Sequence, residues 1–209
     1  MTPQVGEREK RAAHDIVACL RGYYGSISNR QTETIICAAA AITGEWSSWA
    51  VGYDCLEKDK FEFIKAFILL FEGDGSIAGQ ISAVVDRLGA NVSKLPHGSS
   101  LRASQTAGTV EVAYPSLSVD NSHYPNEWPP IAAPRFRERI KQISRVNHLS
   151  SPQETLSACG LAVAILVEDA SPKLDPIVAA TLALEVMTAV SCRAPLDADL
   201  ILAQERQEV

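Results

Sequence analysis

Apolar residues recur at three- and four-residue steps over most of this chain, the spacing that aligns one face of an α-helix. Between 7 and 24 the apolar positions are Ala12, Ile16, Cys19, Leu20 and Tyr23, set among charges and ended by Gly22 and Gly25. A second stretch runs through Ile35, Ala38, Ala39 and Ile42 toward Trp46 and Trp49. Ser28 with Gln31 opens it as a capping box, and Gly44 marks a point of interruption. Asp59 with Glu62 caps the run FEFIKAFILLFE, which Gly73 and Gly75 close, and Ser76 caps a further helix that ends at Gly89. Pro134 suits the first position of a helix reaching about His148. Ser151, Pro152 and Glu154 supply cap, N1 proline and capping acid for a helix through Val167. Asp175 and Pro176 start another that runs to about Cys192, and Asp197 opens a last short one.

Residues 91–133 break this rhythm. They hold five of the eleven prolines, and the stretches TVEVAY and SLSVD alternate at period two. That alternation predicts a short β ribbon near Thr109–Val119. A structureless stretch of this length is unusual inside a compact domain, so it either packs over the bundle or carries function. The expected fold is therefore all-α: a bundle of seven or eight helices with a long Pro-rich ordered loop and a short β ribbon. Residues 1–209 read as one domain, in which 91–133 separates an N-terminal helical half (7–90) from a C-terminal one (134–207). The stretches Leu161–Val167 and Ile177–Val190 are apolar nearly all round, which places them at the centre of a bundle or in an oligomer interface.

Composition narrows the class. Hydrophobic residues make up 46% and charged residues 21% of 209, which excludes a disordered chain. A net charge of -6 disfavours a protein that coats nucleic acid or an anionic membrane with its whole surface. The five cysteines are odd in number and form no C-x-x-C pair, so neither a disulfide framework nor a zinc site is expected. The charged N-terminus lacks a signal-peptide core, and no apolar run reaches the roughly 18 residues of a membrane span. A reduced, cytoplasmic protein without cofactor or metal is the expectation.

The clearest charge feature is the helix 134–148, where Arg135, Arg137, Arg139, Lys141 and Arg145 face only Glu138. Arg137, Lys141 and Arg145 stand at four-residue steps and form a candidate partner- or anion-binding stripe. An internal contact to Asp120 or Glu127 is the alternative. The loop LPHGSSLR offers a candidate anion cradle in His97, Ser99, Ser100 and Arg102. Glu185 lies in an apolar helix, but Thr181 and Thr188 share its face and suggest a partly exposed polar stripe. Trp46, Trp49 and Tyr53 stack on one helical face as a ligand platform or as core.

The reading these features favour is a non-enzymatic α-helical interaction or regulatory protein, with a protein partner or self-association. Two alternatives stay open: a DNA-binding regulator with a helix–turn–helix near 76–95, and an enzyme or small-ligand binder with a pocket under loop 91–133.

Overall fold

The computed structural model describes residues 6–25, 31–53, 63–73, 75–101 and 117–197. Among the described residues the fold is all-α, with seven α-helices: α1 (Glu7–Tyr24), α2 (Gln31–Ala50), α3 (Phe63–Phe71), α4 (Ile77–Arg87), α5 (Ala132–Val146), α6 (Pro152–Ala170) and α7 (Pro176–Ser191). Short 3-10 turns occupy Val92–Lys94, Asn121–His123 and Pro129–Ile131. The ribbon expected at Thr109–Val119 lies mostly outside the described residues, and its described end, 117–119, is irregular. The Ser28 and Asp59 caps and the last short helix also lie outside them.

The caps set the helix starts. Ser76 accepts from the Gly79 amide at 3.2 Å, Ser151 from the Glu154 amide at 3.2 Å, and Asp175 from the Ile177 amide at 2.7 Å. Each satisfies an amide that has no partner inside its own helix. α5 begins two residues before Pro134, at Ala132, because the Pro129–Ile131 turn runs straight into it. Pro134 then sits in the first turn, where its missing N–H costs nothing.

α2 is the centre of the molecule. It packs on α7 and α6 most extensively and also meets α1, α3, α5 and the Pro129–Ile131 turn. Every residue from Thr34 to Ser48 is buried. Its hydroxyls are turned back onto the helix: Thr43 donates to the Ala39 carbonyl and Ser47 to that of Gly44. α7 is buried without a break from Ala179 to Ala189. The helices expected to be deepest thus include α7, whereas α6 leaves Leu161 and Ile165 half-buried and α2 takes the central place.

Gly44 does not interrupt α2. A Cβ there would lie 2.6 Å from the Met187 carbonyl oxygen and 2.9 Å from the Val190 Cβ, so its absence lets α7 cross α2 in close contact. Gly160 does the same for α6 against α4, where a Cβ would meet Ile77 Cγ1 at 2.6 Å.

Residues 117–131 form a strap over α2 and α7. The strap is held by side chains of those helices reaching its backbone: Glu185 accepts from the Ser118 amide through both oxygens (3.1 and 3.0 Å), and Thr34 accepts from the Asn126 amide at 3.0 Å. Glu33 meets His123 at 3.3 Å. A chain segment without its own hydrogen-bonding pattern is ordered by such contacts. No helix among the described residues is long and apolar enough to cross a membrane.

Candidate functional site

The basic helix α5 divides along its length. Its apolar residues Phe136, Ile140 and Ile143 face the core, as the three- and four-residue spacing requires. Arg137 does not join a solvent stripe. Its Nε and Nη2 each donate to one oxygen of Glu45 at 2.8 Å, and Nη2 also donates to the Leu196 carbonyl at 2.6 Å. The guanidinium lies 5.9 Å from the Trp49 ring centroid, and the Glu45 side chain is only 2% exposed. Burial works against the charge of Arg137, but the Glu45 carboxylate outweighs it and holds the guanidinium above its ordinary value. The internal contact is therefore to Glu45, not to Asp120 or Glu127.

Glu127 is taken by a neighbour. Arg135 Nη1 donates to both Glu127 oxygens (3.0 and 2.7 Å), and the Tyr24 hydroxyl donates to the same carboxylate. Burial first, then the Glu127 contact, pushes the Tyr24 hydroxyl far up. Arg135 also stacks over Tyr23, 5.3 Å from its centroid. These contacts fix the start of α5 against α1 and the strap.

The far end of α5 is different. Lys141 Nζ donates to Glu138 at 2.7 Å across one exposed turn, Arg139 donates to Gln142, and Arg145 is exposed. An exposed i,i+3 pair contributes little to stability, so these cations are held loosely. The candidate stripe of Arg137, Lys141 and Arg145 is split: one residue is a core contact and two are at the surface.

Beside this end lies a groove between α1 and α5. Ala18, Cys19 and Gly22 of α1 and Ile143, Val146 and Arg139 of α5 line it, and it encloses about 960 Å³ counted to its open mouth. Val146 is 67% exposed and Tyr23 is 44% exposed. Asp15 at its edge accepts from Asn147 at 2.7 Å.

The other candidates resolve differently. His97, Ser99 and Ser100 are exposed on one helical turn, where the Ser100 hydroxyl donates to the His97 carbonyl at 2.8 Å; Arg102 lies outside the described residues. Those groups do not converge on a common point there. Glu185 is buried rather than partly exposed, because the strap amide of Ser118 reaches it. Desolvation raises its carboxyl above the ordinary value despite the Ser118 hydrogen bonds. Trp49 and Tyr53 pack edge to face at 5.2 Å, and Trp46 is buried core. Segment 76–95 holds one α-helix and a 3-10 turn, and its Arg87 is paired with Glu168 at 3.0 Å. Against the strap, Glu45, Trp128, Pro130, Val190 and Arg193 border a smaller cleft of about 330 Å³. Cys19, Cys37, Cys159 and Cys192 are free thiols. No group of three metal-ligating side chains gathers among the described residues.

Glu45 was not singled out by sequence reasoning. The signal was present: it is a carboxylate within AAAAITGEWSSW, the same setting that drew attention to Glu185. No family model, curated protein or solved structure matches this chain.

Proposed function

We propose that this protein is a non-enzymatic helical interaction or regulatory protein that binds a protein partner through the outward face of α1 and α5. The observation that carries the reading is Val146, a large apolar side chain 67% exposed at the edge of an open groove in an otherwise well-buried helix pair. Exposed apolar side chains clustered at a groove with a polar rim are the usual mark of a binding surface. The buried carboxylates support the same reading, because each is engaged in holding the fold together. Glu45 holds Arg137, Glu185 holds the Ser118 amide and Glu127 holds Arg135.

The experiment is affinity capture with the full chain, partners being identified by mass spectrometry. Val146→Asp is compared with Val92→Asp, a change at a second exposed apolar position away from the groove. The reading expects Val146→Asp to lose a defined partner while melting like the parent, and Val92→Asp to retain it. Equal capture by the parent and Val146→Asp contradicts it.

A further inference from the structure

We infer that the groove between α1 and α5 is built for an acidic amphipathic helix, a proposal that rests on the interaction reading above. Three features specify this occupant: the floor, the length and the rim.

The floor is made of small residues. A Cβ placed on Gly22 would meet nothing within 4 Å, so this part of the groove is open and not filled by the protein's own side chains. Ala18 and Cys19 continue it along α1, and Ile143 and Val146 supply an apolar wall from α5. Small residues between two helices leave room for the anchoring side chains of a third, which arrive at three- and four-residue steps. From Asp15 to Gly22 the floor runs about 10 Å at 1.5 Å per residue, the span of two helical turns.

The rim selects for charge. Arg139 is hydrogen-bonded only to the neutral Gln142, and Arg8 donates to the His148 carbonyl at 3.4 Å. Arg11 shares the groove side of α1, four residues before Asp15, and Arg145 is exposed on the last turn of α5. None of these four arginines makes a close ion pair among the described residues. The one acid in the groove, Asp15, is already engaged by Asn147. A cationic rim on a chain of net charge -6 is complementary to acid and not to the chain's own overall surface. A phosphate backbone has no apolar face to place on Ile143 and Val146, and four arginines are few for a nucleic-acid contact. An acidic helix with a short apolar stripe meets both the floor and the rim.

The test uses the full-length chain and a fluorescein-labelled helical peptide of about eighteen residues, with leucines at three- and four-residue spacing and glutamates on the other faces. Two control peptides carry lysine for glutamate, or the same composition with the leucine spacing scrambled. Anisotropy should show saturable binding of the acidic amphipathic peptide alone. Binding should weaken at least tenfold in Gly22→Trp, which fills the open floor, and about as much in the paired change Arg11→Glu with Arg139→Glu. It should also weaken on raising salt to about 0.5 M. Circular dichroism of each variant should match the parent, since all three positions are exposed on their helices. Binding of the lysine or scrambled peptide as tightly as the acidic one overturns the proposal, as does unchanged affinity in Gly22→Trp. A dimer in sedimentation that dissolves in Gly22→Trp makes a second copy the occupant and also overturns it. If the peptide does not bind while Val146→Asp still loses its captured partner, this inference fails and the interaction reading stands.

Discussion

The two ends of α5 carry the same kind of residue and do different work. At the start, Arg135 and Arg137 are each engaged by a carboxylate and an aromatic ring, with side chains only 13% and 14% exposed. At the end, Arg139, Lys141 and Arg145 stand at the surface with neutral or one-turn neighbours. Four-residue spacing puts side chains on one face of a helix, but it does not say what that face meets. α5 meets α2 along only part of its length, so one helix face begins as an internal clamp and ends as an open surface.

The difference can be broken most forcefully at Arg137. Arg137→Met leaves the Glu45 carboxylate buried without its partner and should cost about 3–5 kcal/mol in urea unfolding. Next in size is Gly44→Ala. In an open helix that change would add about 1 kcal/mol of stability. Here the new methyl meets the Met187 backbone oxygen, which cannot rotate away, so a loss of about 1–3 kcal/mol is expected in the same assay.

Glu185 gives a smaller, pH-dependent effect. Its carboxyl is raised above the ordinary 4.5, so the native state holds this proton more tightly than the unfolded chain does. Its contribution is therefore favourable below the ordinary glutamate range and is lost as pH rises through the raised value. Glu185→Gln keeps an acceptor for the Ser118 amide and removes the charge. It should raise stability at neutral pH by less than about 1 kcal/mol and flatten the melting temperature against pH between about 4 and 7. The smallest effect belongs to the surface end of α5: Lys141→Gln and Arg145→Gln should each change unfolding free energy by less than about 0.5 kcal/mol.

What the sequence made legible was local. The caps at Ser76, Ser151 and Asp175 are read from residues within one turn, and all three hold in the structure. The apolar face of α5 and the deep burial of α7 follow from periodicity alone. What was not legible depended on distant partners. Arg137 and Glu45 are 92 positions apart, and Ser118 and Glu185 are 67 apart. No spacing rule links them, so Arg137 read as a surface cation and Glu185 as a partly exposed acid. Gly44 read as a break because its reason for being glycine lies on another helix. The α1–α5 groove was invisible for the same cause: its floor is made of Ala18, Cys19 and Gly22, which carry no pattern until a second helix lies beside them.

The division of α5 is tested most directly by a double-mutant cycle on Glu45 and Arg137, with Arg145→Gln as the reference, read by urea denaturation. The expected result is that Arg137→Met and Glu45→Leu each lose about 3 kcal/mol or more, that the double variant recovers most of the summed loss, and that Arg145→Gln unfolds like the parent. Additive losses in the cycle, or equal small effects for Arg137→Met and Arg145→Gln, would contradict it.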